Sequence, residues 1–324
     1  MTFEKIAVRS IAAAAILGYS VTAWSEMPEK TLSISTASQG GAWYGIAARV
    51  FKDVENAAPG LTVQVQPGGA IGNVRKIDDE ATDLGIAQDF IAGLGYQGSG
   101  PFKQERKNVV FLAKLFPGYT KIIVVKESGI TKFEDLFSKR VTGGKNGWAS
   151  EFLFRMVLSA YDMDYQKIKA NGGVVNYVGT GQATQMMRDG NLDAMFITGN
   201  PPVHPKFKEL ATTTDIDVLD IGEEGLARVF AKYPFLSPIT LPKNIYRGVE
   251  AGFQTIGGNV LLMARRSLSD EAAYTIVKTF YDNLDAIKGD LRMLEENTLE
   301  GALEGNPIDV HPGAARYYKE KGLM

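Results

Sequence analysis

Residues 31–56 read TLSISTASQGGAWYGIAARVFKDVEN. The first six, Thr31–Thr36, alternate with period two, the pattern of a half-buried strand. Gln39-Gly40-Gly41 breaks that pattern. From Trp43 to Asn56 the apolar residues Ile46, Ala47, Val50, Phe51 and Val54 fall on one helical face. A strand, a glycine turn and an amphipathic helix are the opening of a βα unit, and the rest of the chain repeats the sequence of signals. Leu61–Pro67 alternates again, Gly68-Gly69 turns into a helix from about Ile71 to Ala81, and Asp83 precedes the short buried strand LGIA.

The same order returns further on. Arg140–Gly143 reads as a strand, Gly143–Gly147 as a glycine-rich turn, and Ser150 to Tyr161 as an amphipathic helix. Val174–Val178 is a strand, Gly179-Thr180-Gly181 leads into a helix from Gln182 to Arg188, and Asp193 precedes the strand AMFI. A constant shift lays Gly69 on Gly179, Ile77 on Met187, Asp83 on Asp193 and Ile86 on Phe196. Two lobes of one βαβαβ design explain that match; the general likeness of α/β units is the other explanation, and both give two α/β lobes with mainly parallel sheets. A chain of 324 residues is also longer than a single core usually serves.

Two connections must join such lobes. The strand Thr120–Lys126 is placed to leave the first lobe, and the return falls between Tyr246 and Gln254, before the strand Gly258–Ala264. The helices Asp270–Leu284 and Asp285–Glu296 then rejoin the first lobe. The expected organisation is residues 26–119 with 252–324 as lobe I and 120–251 as lobe II, hinged about a ligand cleft.

Residues 1–25 read as a signal peptide. Lys5 and Arg9 make a positive start, Ile11 to Val21 is apolar but too short for a stable membrane anchor, and Ala23 and Ser25 suit cleavage before about Glu26. A buried N-terminal helix is the alternative. With no cysteine there is no disulfide, thiolate metal site or lipid attachment through a lipobox cysteine. Export without an anchor or a later apolar span predicts a free periplasmic protein. The formal charge of −2 gives no footprint for nucleic acid.

In open α/β sheets ligands sit beyond the carboxyl ends of strands, where loops lead into helices. Four loops have the composition for it. In the first, Gly40 and Gly41 let backbone approach a ligand, the following helix start suits a carboxylate or phosphate, Ser38 can donate, and Trp43 and Tyr44 offer apolar walls. The same residues also read as a plain glycine turn with both aromatics in the core. The second, Gly68-Gly69-Ala70-Ile71-Gly72-Asn73, is a glycine turn that places Asn73 in a first helical turn; it too reads as a turn alone. The third holds Lys145, Asn146, Gly147, Trp148, Ala149 and Ser150; it lacks the Gly-Lys-Ser/Thr ending of a phosphate loop, Lys145 reads as a solvated lysine, and Trp148 is expected in the cleft. The fourth, Phe196-Ile197-Thr198-Gly199-Asn200-Pro201-Pro202, ends a strand in Gly199 and Asn200 before a proline pair that fits a helix start, with Gln88 as its counterpart in the first lobe.

Nothing points to catalysis, a metal or a cofactor. The two histidines, His204 after a Pro-Pro turn and His311 before Pro312, belong to no nucleophile or metal constellation, and acid pairs such as Asp78-Asp79 and Glu223-Glu224 read as solvated.

At these loops the chain resembles the TRAP-associated extracytoplasmic immunogenic (TAXI) proteins, solute receptors of one branch of the tripartite ATP-independent periplasmic (TRAP) transporters. Thr36 to Tyr44 matches the family's T-G-S-T-G-G-x-Y-Y, Gly68 to Asn73 its G-G-S-x-x-N, Asp83 to Gln88 its D-L-G-I-x-Q, and Asp189 to Phe196 its D-G-x-x-D-A-x-F. His311 to Gly322 matches its C-terminal H-P-G-A-x-x-Y-Y-x-E-x-G. The five stand in order over nearly the whole mature chain. The resemblance implies an α/β, two-lobed, hinged periplasmic-binding-protein fold with the ligand between the lobes. It implies a small organic acid or amino acid of the glutamate-like, dicarboxylate class as solute and TRAP membrane subunits as partner. No nucleic acid is expected, the receptor is expected to be monomeric, and His311 is expected to pack rather than catalyse. The departures are Ala37 for glycine, Ala70 for serine, Trp43 for tyrosine, and Gly147-Trp148-Ala149-Ser150 where the family has G-S-G-T. An indole in place of a small hydroxyl should narrow the pocket or stack on the ligand. A sensor docking on a membrane kinase is the alternative with the same cleft, an exported enzyme on the same scaffold is a third reading, and a surface adhesin with no specific small-molecule affinity is a fourth.

Overall fold

The computed structural model describes residues 28–324. The signal-peptide reading, with cleavage before about Glu26, lies outside them. The first half of the chain follows the βα grammar closely: β1 (Thr31–Ser35), α1 (Ala42–Ala57), β2 (Thr62–Gln66), α2 (Ala70–Asp78), β3 (Leu84–Gln88), α3 (Asp89–Tyr96) and β4 (Val109–Pro117). The expected face of α1 is buried, joined by Trp43. The next stretch forms β5 (Tyr119–Val125), β6 (Arg140–Thr142), α4 (Ala149–Ala160), α5 (Tyr165–Ala170), β7 (Val174–Asn176), α6 (Thr180–Arg188), β8 (Ala194–Asn200), α7 (Pro205–Leu210), β9 (Ile216–Val218) and α8 (Gly222–Lys232). β10 (Ser237–Leu241), β11 (Phe253–Gly257), β12 (Asn259–Arg265), α9 (Asp270–Asp282), α10 (Leu284–Asp290) and α11 (Pro312–Glu320) complete it.

Two five-stranded sheets result, ordered β2-β1-β3-β12-β4 and β7-β6-β8-β5-β9. In each, the first three strands are parallel and the fourth runs antiparallel to both its neighbours. The expectation of mainly parallel sheets is therefore corrected to mixed ones. The reason is the exchange of strands: β5 and β12 each start at the junction between the lobes, where the parallel strands end, and so run the opposite way.

The repeat has a physical counterpart. Asp83 Oδ2 accepts the backbone N–H of Ser33 on β1 at 2.8 Å, and Asp193 Oδ2 accepts that of Arg140 on β6 at 2.7 Å. The two aspartates thus hold equivalent strands, second in each sheet, and each is joined by an arginine, Arg265 at 2.9 Å and Arg140 at 2.5 Å. Partial burial alone would raise both carboxyls, and the hydrogen bonds from these partners bring each net below its ordinary value.

The chain passes from the first sheet to the second through Gly118 alone, between β4 and β5, and returns through Gly258 alone, between β11 and β12. The two crossings are bonded to each other, Gly118 N–H donating to Gly258 O at 2.7 Å. Both positions are crowded: a Cβ on Gly118 would lie 2.8 Å from Gly199 Cα, and one on Gly258 would lie 2.6 Å from Asp89 Oδ1. Asp89 Oδ2 also accepts the N–H of Asn259 at 2.6 Å, and burial pushes this hinge carboxyl up to about 6. Before the return, β10 and β11 pair as a separate antiparallel ribbon that the sequence reading did not anticipate, since their connection has no tight-turn signature. The second C-terminal helix is shorter than expected, ending at Asp290. His311 caps α11, its Nδ1 accepting from Gly313 N and its Nε2 lying 3.0 Å from Leu268 O, fully buried in the first lobe.

Candidate functional site

The glycine turns after β1, β2 and β6, and the turn after β7, bring helix starts to the same gap between the lobes. A cavity of about 150 Å³ lies there, room for roughly five waters. Its wall includes Gly41 and Ala42 at the start of α1, Gly69 and Ala70 at the start of α2, Trp148, Ala149 and Ser150 at the start of α4, and Thr180 and Gly181 at the start of α6. None of these four helices has a side chain capping its N-terminus. By contrast, α5, α7, α9 and α11 are capped by Asp164, His204, Ser269 and His311. Each bare start leaves unpaired N–H groups and about half a positive charge facing the gap. The only acid in the first turn of any of the four is Glu151 of α4, which is already bonded to Arg155.

Three contacts join the lobes around the cavity. The buried Trp43 indole N–H donates to Gly199 O at 2.8 Å. Gln88 Nε2 lies 3.4 Å from Thr198 O, while its Oε1 is buried with no hydrogen-bond partner among the described residues. Trp148 of the second lobe lies against Gly69 of the first, where a Cβ would come within 2.7 Å of Cδ1. Gly179 faces Ser38, with Oγ 3.6 Å from a Cβ built there.

The cavity therefore gathers Ser38, Gly40, Gly41, Trp43, Gly69, Ala70, Gln88, Trp148, Ala149, Ser150 and Asn200 of the residues singled out from sequence. Trp43 and Trp148 both line it, as the cleft reading of each supposed, but Trp43 is also a clamp between lobes. Ser150 has a second duty, its hydroxyl accepting the Thr198 N–H at 3.0 Å. Gly199 stands just behind the wall, contributing the carbonyl that Trp43 holds.

Four residues are placed elsewhere. Asn73 is in the core: its Nδ2 donates to Thr36 O and Ile86 O at 2.7 and 2.8 Å, and its Oδ1 accepts the Gly69 N–H at 3.1 Å. It fastens the first two glycine turns to β3, which its sequence position could not distinguish from facing the cleft. Tyr44 lies one helical step from Trp43 and reaches back toward Val65 O at 3.4 Å. Asn146, with Gly147, lines a separate recess shared with Arg75, Arg155 and Tyr177.

The cavity also has walls that sequence reasoning missed. Thr180 and Gly181 were accessible to it: the shift that lays Gly69 on Gly179 lays Ala70 on Thr180. His204 and Lys206 stand at the start of α7, while Ile197 and Thr198, at the end of β8, belong to the fourth loop expected from sequence. That loop is pinned from below by Lys121, fully buried on β5, whose ammonium donates to Pro201 O at 2.5 Å and Pro202 O at 3.1 Å. Burial pushes Lys121 down to about 7. Lys206, also on this wall, is paired with Glu209 at 3.0 Å.

Among the described residues no cluster of three or more acidic, histidine or cysteine side chains could hold a metal, and no helix is long and apolar enough to cross a membrane. The model of a family described as NMT1-like matches residues 34–322. Among solved structures, the chain resembles a protein from Bordetella bronchiseptica RB50 at 15% identity, covering 93% of this chain and 91% of that one, with a TM-score of 0.52. It is also similar to the alkanesulfonate-binding protein SsuA from Xanthomonas axonopodis pv. citri bound to MOPS, at 13% identity over 90% of this chain and 83% of that one, TM-score 0.47. A third likeness is to the amino acid ABC transporter substrate-binding protein AbpA from Streptococcus pneumoniae bound to L-arginine, at 14% identity over 82% and 94%, TM-score 0.47. The first of these likenesses concerns the fold alone.

Proposed function

The chain belongs to the NMT1-like family, and on that premise we propose that it is a periplasmic solute receptor for a small organic acid or amino acid of the glutamate-like, dicarboxylate class. The observation that carries the reading is the convergence of four uncapped helix starts on one interlobe cavity. Bare N–H groups pointing into a partly enclosed space are offset when an anion accepts from them, and a carboxylate does so from several at once. The partnerless Oε1 of Gln88 asks in turn for a donor, which an amino or hydroxy acid supplies. A cavity of about 150 Å³ sets the size to a small acid rather than a peptide.

Delivery to TRAP membrane subunits driven by an ion gradient, the TAXI assignment and export with cleavage before about Glu26 are parts of the same proposal, supported by the five ordered motifs and the N-terminal residue pattern. The carboxylate departs to the transporter unchanged, so no chemical step is assigned to the protein.

The test is a melting-temperature screen of the mature protein against small acids, each paired with its uncharged amide or ester. Shifts confined to the acids support the reading, because only a ligand bound to the folded state raises stability. Equal shifts from the neutral analogues, or none from any acid, oppose it.

A further inference from the structure

We propose that His204 is a specificity-determining residue of the solute site, a neutral imidazole whose one ring N–H, on Nε2, donates to the bound acid from the second lobe. This rests on the solute-receptor reading above and names how one end of its ligand is recognised.

The placement comes from the loop after β8. Lys121 holds Pro201 O and Pro202 O from below, and the Tyr246 hydroxyl accepts the backbone N–H of His204 at 2.9 Å from the side. The ring is thereby fixed at the start of α7, 5.2 Å from the Phe207 ring and only 4% exposed. What remains open to it is the cavity, whose wall it forms.

The two ring nitrogens are then distinguished. Nδ1 accepts the Lys206 N–H at 3.2 Å as the cap of α7 and so carries no proton. A neutral ring must therefore hold its proton on Nε2. Nε2 has no hydrogen-bond partner among the described residues, and the open space that His204 borders is the cavity.

The charged groups around the ring keep it neutral. Lys121 on β5 and Lys206 on α7 are both cationic neighbours, and Tyr246 is an uncharged one. Burial first, then those two charges, pushes the imidazole down to about 3. His204 itself thus meets the solute with a fixed single donor rather than a cation, and discriminates for an acceptor atom at that place.

Long-range proton–nitrogen NMR on uniformly labelled protein tests the tautomer without any ligand. The chain has two histidines, so the signals lost in His204→Asn identify the residue. The expected pattern is one bare and one protonated nitrogen, unchanged down to about pH 5; an imidazolium pattern at pH 6, or a proton on Nδ1, overturns the proposal. The second arm uses glutamate and succinate as probes in titration calorimetry. Asn retains an oxygen where Nδ1 caps α7 but lacks the outer N–H, so His204→Asn should melt close to the native protein and bind about tenfold more weakly. Native-like affinity in that variant reduces His204 to a helix cap and overturns the proposal. Failure of the native protein itself to bind either probe counts against the proposed function instead, leaving the NMR arm to decide.

Discussion

Gly69→Ala separates closure from folding. The native backbone at Gly69 is extended, at φ −173° and ψ 143°, which alanine adopts freely. Its Cβ would stand 2.7 Å from Trp148 Cδ1 and 3.2 Å from Gly147 O, both on the opposite lobe. Ordinary carbon–carbon contacts lie near 3.5–4.0 Å, so the lobes must part by about 1 Å or the indole must turn. Overpacking of this size costs roughly 1–3 kcal/mol, and here the cost falls on the closed arrangement alone. An acid that binds by closing the lobes should therefore lose about 5- to 150-fold in affinity. Calorimetry with the best acid from the melting screen measures it, and the melting temperature of the ligand-free variant should stay near native. Adding Trp148→Ala removes the obstacle and should abolish the penalty of the alanine, read as a coupling energy in the double-mutant cycle. The reasoning is refuted if Gly69→Ala binds like the native protein, or if its penalty survives the loss of Trp148.

Three further outcomes are expected. Trp43→Phe keeps the buried ring but removes the donor to Gly199 O, and should weaken acid binding by roughly five- to tenfold with little change in melting temperature; an equal loss of stability would make Trp43 a core residue only. Trp148→Ala by itself should change affinity at least tenfold, about 1.4 kcal/mol, by calorimetry. Lys121, pushed from 10.5 to about 7, holds fewer protons folded than unfolded across that window, so its share of stability is lost as pH falls from about 10 to 7. Urea unfolding should show stability rising by up to ~1.4 kcal/mol per pH unit over that range, and Lys121→Met should flatten the rise.

The fold was readable because burial imposes periodicity. The faces of α1 and the buried runs of β3 and β8 are visible as patterns, and the glycine turns mark where helices begin. The exchange of β5 and β12 between sheets was readable as a pair of crossings but not as a reversal of strand direction, since periodicity carries no sign. Asn73 went to the core and Tyr44 to a half-buried place beside β2, because a polar or aromatic residue in a first turn is one rotation from either environment. His204 was visible after its Pro-Pro turn, but its place on the cavity was not, for the opposite reason. Its place on the cavity depends on Lys121 and Tyr246, which are remote in sequence and reach it only through the folded loop.

The central claim is that uncapped helix starts from both lobes close on one acid. A crystal structure of the mature protein with the acid that raises its melting temperature most tests this directly. The account predicts a carboxylate accepting from backbone N–H groups in the first turns of α1 or α2 on one side and α4 or α6 on the other. An acid bound outside the interlobe cavity, or lying within it with its carboxylate turned away from all four helix starts, would contradict it.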